Sequence, residues 1–180
     1  MSATQQRSDW EQCVAFHGHE CPGLAMGYRA AKAAQKKLGV SFSPDEDVVC
    51  VTENDACGLD AVQYLTGCTL GKGNLIYRDR GKQAFSFFVR SQNKKLRVVM
   101  KKKFDRDNMN REAIKNELLS LPDEELFAFS EPAYDLPARA RIFKHVTCEQ
   151  CGETCSERNV RLHEDKQCCM DCAPEYSRGW

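Results

Sequence analysis

The amino-acid sequence predicts an α+β fold, with a core of helices packed on a small, mainly antiparallel sheet and a small cysteine-rich module after it. Segments with helical and strand patterns alternate over roughly the first 130 residues. Two strand-like runs flank a short polar segment, which is the pattern of a hairpin. Six of the eleven cysteines fall within residues 148–172. A chain of 180 residues with 42% hydrophobic residues has room for one domain and such a module.

The first helix is predicted by a capping box. Ser8 and Glu11 have the spacing at which each side chain satisfies an early backbone N–H group, and the helix should run to about residue 16. Glycine and proline exclude regular helix from residues 17–23. A second helix should span about residues 24–38 and stop at Gly39.

Shorter elements follow in order. An apolar strand at residues 48–51 leads into a helix at about 59–65, for which Asn54 or Asp55 is a candidate cap. The remaining predictions are a strand at 75–77, a hairpin with arms at 84–90 and 96–101, a helix at about 109–119 and a short helix starting near Pro122.

A linker is predicted where two prolines occur in a polar segment, between about residues 131 and 147. We therefore expect a core domain at residues 1–147 and a module at residues 148–180. The formal net charge of zero hides an asymmetry, because the core carries 22 basic and 19 acidic residues and the module carries 4 and 7.

The C-terminal cysteines have the spacing of a zinc ribbon. Two Cys-x2-Cys pairs are separated by 17 residues and comprise Cys148, Cys151, Cys169 and Cys172. Each pair presents two thiolates, and Zn²⁺ accepts four in a tetrahedron. Cys168 could replace Cys169 as a ligand. We expect the module to contact a protein partner or to be structural, since its net charge of −3 disfavours nucleic acid.

A second group of candidate ligands lies in the core. His17, His19 and Cys21 occupy five residues of a loop that ends where a helix begins, and imidazole and thiolate suit late transition metals. The partial positive charge of the helix N-terminus should lower the pKa of the Cys21 thiol. The alternative is that one histidine simply ends a helix and that Cys21 is a buried apolar group.

Cys57 lies at a second strand-to-helix junction. Asp60 follows by one helical turn, so it could face the same pocket and hold a ligating histidine by its second nitrogen. We predict that His17, His19, Cys21 and Cys57 converge and that at least two of them bind a transition metal. Alternatively, Cys57 is a nucleophile with a histidine base, with Asp60 as a further catalytic candidate. Cys13, Cys50 and Cys68 are predicted to be structural.

Residues 78–106 contain 11 basic and 2 acidic residues. We interpret them as a solvated hairpin that faces an acidic helical segment rather than as a nucleic-acid surface. A substrate is expected to meet a pocket closed by residues 66–74. Lys72, or the turn at residues 78–82, could then neutralise an anionic group.

Several motifs resemble the FmdE family, named for one component of molybdenum or tungsten formylmethanofuran dehydrogenase. They are the segments at 16–24, 57–63, 66–75 and 81–85, which occur in family order, and the cysteines at 148–172 resemble the zinc ribbon appended to some members. The resemblance implies an α+β core with a metal or active site, a C-terminal zinc finger and intertwined dimers. It maps the family's site onto His17, His19, Cys21, Cys57 and Asp60.

Three functions are compatible with these features. The first is an enzyme or enzyme subunit linked to formylmethanofuran dehydrogenase-type metabolism. The second is a metal-sensing or regulatory protein that acts through its ribbon, and the third is an accessory factor for a molybdenum or tungsten enzyme. We expect a homodimer. We also expect a cytoplasmic location without membrane contact, because residues 1–10 lack the apolar core of a signal peptide.

Overall fold

Helices and strands alternate along residues 7–140 of the computed structural model, which describes residues 7–175. The helices of this first unit are α1 (Asp9–His17), α2 (Pro22–Leu38), α3 (Gly58–Thr66), α4 (Arg111–Ser120) and α5 (Asp123–Leu126). Its strands are β1 (Val48–Thr52), β2 (Leu75–Tyr77), β3 (Ala84–Val89), β4 (Lys94–Met100) and β5 (Phe127–Ser130). A second unit begins at Arg141.

The five strands form one sheet in the order β2-β1-β3-β4-β5. Only the pairing of β1 with β2 is parallel, so the predicted mainly antiparallel α+β class is confirmed. One face, which includes Phe85 and Phe87, packs in the main core with α2. The other face buries Val49, Val51 and Phe88 beneath the extended segment that carries Tyr134.

The capping box that starts α1 forms as predicted, whereas the N-cap of α3 is Cys57 and not Asn54 or Asp55. The Ser8 hydroxyl accepts a hydrogen bond from the Glu11 N–H, and the Glu11 carboxylate accepts one from the Ser8 N–H. Helix α2 begins at Pro22, two residues earlier than predicted, because the Cys21 sulfur serves as its N-cap acceptor. Strand β5 was not predicted.

Helices α2 and α3 are in backbone contact at Gly27 and Gly58. A Cβ added to Gly27 would lie 1.9 Å from the Gly58 carbonyl oxygen, and one added to Gly58 would lie 2.9 Å from the Gly23 oxygen. No side chain of any size can occupy this contact without moving the backbone. The N-terminal parts of the two helices are therefore held side by side.

A buried ion pair ties β4 to the end of β1. Arg97 donates Nε and Nη2 to the two carboxylate oxygens of Glu53, at 2.7 and 3.0 Å, and the Glu53 side chain is only 5% exposed. The hydrogen bonds from Arg97 are the largest cause that lowers the Glu53 pKa, against the opposing effect of burial. This bidentate pair holds Glu53 in place at the end of β1, four residues before Cys57.

The second unit consists of two short hairpins. Strands β6 (His145–Thr147) and β7 (Thr154–Ser156) pair, as do β8 (Val160–His163) and β9 (Lys166–Cys169). Its buried core consists of Cys148, Cys168, Cys169 and Ala173, which is too little apolar surface to stabilise a fold of this size alone. No helix within residues 7–175 is both long enough and apolar enough to cross a membrane.

We predict that Gly27→Ala lowers the free energy of unfolding of the core by about 2 kcal/mol or more, because the added methyl group collides with backbone that cannot move away cheaply. Gly71→Ala is the matched control, since its Cβ would meet nothing within 4 Å. Urea denaturation measures both variants. Equal stability of the two variants would contradict the described contact.

Glu53→Gln should cost about 2 kcal/mol or more at neutral pH, since it leaves the Arg97 charge without its partner. The folded state lowers the Glu53 pKa, so the unfolded state binds more protons and the contribution of the pair is present above the ordinary pKa of 4.5. It is lost as the pH falls through the lower, folded-state value.

Urea denaturation between pH 7 and pH 3 measures this difference. The stability gap between wild type and Glu53→Gln should narrow towards acid pH. Glu131→Gln, which removes the exposed partner of Lys95, should behave like wild type throughout. A gap that stays constant with pH would show that Glu53 contributes through packing alone.

Candidate metal centres

Three helix ends supply the candidate ligands of the core. His17 is the last residue of α1, and Gly18, in the left-handed conformation at φ 93°, turns the chain away from it. Cys21 is the N-cap of α2, and its sulfur accepts a hydrogen bond of 3.3 Å from the Leu24 N–H. Cys57 is the N-cap of α3, and its side chain makes no capping hydrogen bond to the helix.

These residues converge. One donor atom each from His17, Cys21 and Cys57 lies within 4.8 Å of the others, and the Nε2 of His17 is 3.9 Å from the Cys21 sulfur. Tetrahedral geometry with Zn–S and Zn–N bonds of ~2.3 and ~2.0 Å requires donors roughly 3.5–3.8 Å apart. The spacing and chemistry of the three donors therefore fit a transition metal.

Gly23 leaves room for this cluster. A Cβ at this position would lie 3.1 Å from the Cys57 Cβ and 3.7 and 3.8 Å from the sulfurs of Cys57 and Cys21. A larger residue would thus press on both thiols. The sequence drew attention to Gly23 only as a breaker of helix, and its role beside the sulfurs becomes visible once α2 and α3 are packed.

Asp60 orients the histidine. Its Oδ2 is 2.6 Å from the Nδ1 of His17. In the tautomer with the proton on Nδ1, this N–H donates to the carboxylate and Nε2 keeps its lone pair for a metal. The Nε2 of Gln63 lies 3.4 Å from the other carboxylate oxygen. Asp60 thus contacts His17, and its role in holding the ring for a metal stays a prediction.

His19 lies outside the three-donor cluster. It is exposed, and its ring centroid is 4.4 Å from that of His17. The next residue, Glu20, forms an ion pair with Lys115 of α4, which ties the loop to that helix. The residue pattern did not reveal this anchor, because its partner is 95 positions away in the sequence.

The pKa of the Cys57 thiol is raised, chiefly by burial and then by the charge of neighbouring Cys21. At Cys57, burial thus outweighs the lowering of a thiol pKa that a helix N-terminus exerts. Two sulfurs in contact resist simultaneous ionisation unless a cation lies between them. A thiolate pair at this site would require such a cation.

The four C-terminal cysteines form the second cluster. Sulfurs of Cys148, Cys151, Cys169 and Cys172 all lie within 4.8 Å of one another. Hydrogen bonds from the backbone N–H groups of Cys151 and Cys169 lower the pKa of Cys148 to about 6. Gly152, at φ 78°, closes the first turn. The four donors have the arrangement of a tetrahedral sulfur site.

The remaining cysteines do not join these clusters. Cys168 points its sulfur towards Gln150, at 3.9 Å, so Cys169 rather than Cys168 belongs to the four-sulfur group. Cys13, Cys50 and Cys68 are buried, and burial raises the pKa of both Cys13 and Cys68 to about 11. Such thiols pack as small apolar side chains.

The chain resembles two described proteins. It is 32% identical over 195 aligned residues to an Archaeoglobus fulgidus protein described as a probable S-adenosyl-L-methionine-binding protein. The alignment covers 89% of this chain but only 51% of that relative, so the chain spans about half of its length. A crystal structure of a tungsten formylmethanofuran dehydrogenase FmdE-like protein from Syntrophus aciditrophicus superposes with a TM-score of 0.63. That match has 25% identity and covers 96% of both chains.

A family profile matches a longer part of the core than any single motif does. The family is described as FmdE, molybdenum formylmethanofuran dehydrogenase operon, and the match covers residues 16–128. This range begins one residue before His17, contains the whole three-donor cluster, and ends within β5. It covers more than half of the chain. The chain therefore belongs to the FmdE family.

Proposed function

We propose that the chain is a metal-dependent enzyme or enzyme subunit whose core site binds a transition metal through His17, Cys21 and Cys57. The observation that carries this proposal is the contrast between the two clusters. Among residues 7–175, the C-terminal cluster offers four donors, enough to complete the coordination of a tetrahedral ion, whereas the core cluster offers three. Three protein ligands leave one position for water or substrate, as in catalytic zinc sites.

A metal bound there would act as a Lewis acid or lower the pKa of a bound water. The protein would contribute orientation. Asp60 keeps the Nε2 of His17 free, the Leu24 N–H holds the Cys21 sulfur, and Cys57 lies on the exposed side of the cluster. Cys57 is therefore the ligand beside which a substrate has access.

The basic turn at residues 78–82 favours a substrate that carries a negative charge. The backbone N–H groups of Arg80 and Lys82 donate to the backbone carbonyl oxygen of Glu53. The Asn54 side chain donates to the carbonyl oxygen of Lys82 at 2.9 Å. Asn54 also accepts from the N–H of Ala56, next to Cys57. We propose that this exposed cationic turn receives an anionic group of the substrate.

The comparisons support a link to formylmethanofuran dehydrogenase-type metabolism, in the family description and in the name of the similar solved structure. The Archaeoglobus fulgidus relative described as a probable S-adenosyl-L-methionine-binding protein is about twice as long as the part that this chain matches.

Family membership supports a homodimer, and we propose one. Light scattering that shows about 20.4 kDa at micromolar concentration would contradict it.

A second candidate function is a metal-responsive regulatory protein. It is favoured by apolar side chains that the second unit leaves exposed, namely Ile142, Leu162 and Met170. Exposed apolar side chains offer contact area to a protein partner, whereas a nucleic acid would require a basic surface. A core metal with four protein ligands and no open position would favour the regulatory protein over the enzyme.

We predict that the full chain binds two metal ions per chain and that Cys57→Ala removes one of them. Asp60→Asn should keep the core ion but weaken its affinity by about 10–100-fold, because His17 loses the partner that orients it. Mass spectrometry of metal content and competition with a chromophoric chelator measure these quantities.

His19→Ala is the matched control for the core site, since it removes an imidazole beside His17 but outside the three-donor cluster. It should retain both ions. If His19→Ala loses the core ion and Cys57→Ala keeps it, the proposed ligand set is contradicted. His19 would then be a ligand in place of Cys57.

The ribbon should depend on its own ion. Cys151→Ser removes one ligand of the four-sulfur cluster, so we expect loss of one ion and fast hydrogen exchange throughout residues 148–175, with the core unaffected. Cys155→Ser is the control, because Cys155 lies outside the cluster. Slow exchange of these residues in Cys151→Ser after chelation would show that the ribbon folds without metal.

A further inference from the structure

A broad groove lies beside α1, α2 and α3 and has a volume of about 1040 Å³. Residues of the three helices form part of its wall, and the segment 40–44 and the loop that contains Lys72 form the rest. None of the candidate metal ligands lines it. Gly67, Thr69 and Lys72 of the predicted loop at residues 66–74 line this groove. A groove of this size accommodates a small organic molecule.

The lining is cationic. It contains Lys32, Lys36 and Lys72, and Asp9 is the single carboxylate among the lining residues that the structure describes. Asp9 is already paired with Lys32 at 2.8 Å, and Lys36 has no ion-pair partner within residues 7–175. The groove thus carries two positive charges that its own acidic residue does not balance.

Specific contacts hold the ammonium group of Lys72 in place. Its Nζ donates to the carbonyl oxygens of Ser43 and Pro44, at 2.9 and 3.4 Å, and lies 5.6 Å from the centre of the Phe42 ring. Two carbonyl acceptors leave the third N–H of the ammonium group for a ligand. The lysine is therefore oriented before any ligand arrives.

Aromatic rings in the groove are exposed to solvent. Phe42 is 58% exposed and Phe16 is 56% exposed, whereas most large apolar side chains of this unit are buried. Tyr64 lies beside Phe16, with ring centroids 5.8 Å apart, and its hydroxyl donates to Gln12. Rings left open next to cations suit a ligand with a flat apolar part and an acidic group.

We propose that this groove binds a small organic anion, with its ring system on Phe42 and its acidic group between Lys36 and Lys72. One hydrogen bond links the groove to the core site, because Gln63 lines the groove and its side chain donates to Asp60. Binding in the groove does not require metal, so this inference stands apart from the proposed enzyme.

Two fluorescent probes test the proposal on the full chain. The probe 8-anilinonaphthalene-1-sulfonate carries an acidic group, and N-phenyl-1-naphthylamine is a neutral molecule of similar shape. Lys36→Glu should weaken binding of the sulfonate about fivefold or more and leave the neutral probe unchanged, since only the sulfonate interacts with the charge. Phe42→Ala should weaken both probes, because both use the ring.

Lys103→Glu is the matched control, as it makes the same charge change at an exposed position outside the groove. Unchanged sulfonate affinity in both Lys36→Glu and Phe42→Ala, or an equal loss in Lys103→Glu, would overturn the proposal. Far-ultraviolet circular dichroism verifies that the variants fold. Metal content is measured on the same samples, so a failure of the groove is distinguished from a failure of the core metal site.

Discussion

The backbone contact between Gly27 and Gly58 is the constraint on which the core site depends. Side chains normally keep packed helices about 8–10 Å apart, and their absence here lets the N-terminal parts of α2 and α3 approach to direct contact. Each of these helices is preceded by a cysteine N-cap, so the contact that packs them also brings Cys21 and Cys57 together. Gly23, one turn before Gly27, provides the space that the two sulfurs occupy.

The electrostatics of the cluster follow from this packing. Burial and the neighbouring Cys21 raise the pKa of Cys57, whereas the carboxylate of Asp60 holds the Nδ1 side of His17. The result is two sulfurs and one directed imidazole lone pair, with no cationic side chain among the three donors. A divalent cation is the species that such a donor set lacks. The ribbon meets the same need with four sulfurs, and Cys148 already has a lowered pKa there because backbone N–H groups point at it.

Much of this arrangement could be predicted from local sequence. The capping box at Ser8, the hairpin of β3 and β4, the paired cysteines of the ribbon and the position of Asp60 one turn after Cys57 all depend on residues close in sequence. Features set by distant residues could not be predicted in this way. Strand β5 has four residues with mixed exposure, and it exists because β4 offers it an edge. The groove depends on rings and lysines from several segments, and its lining shows no periodic pattern.

Anomalous diffraction from crystals of the metal-loaded chain tests the central claim most directly. We expect one peak in the core, within about 2.5 Å of the Nε2 of His17 and the sulfurs of Cys21 and Cys57, with no fourth protein ligand. The ribbon provides an internal control, because a peak among its four sulfurs shows that the crystals carry metal. A ribbon peak without a core peak, or a core in which the Cys21 and Cys57 sulfurs lie too far apart to share an ion, would contradict the proposed metal site.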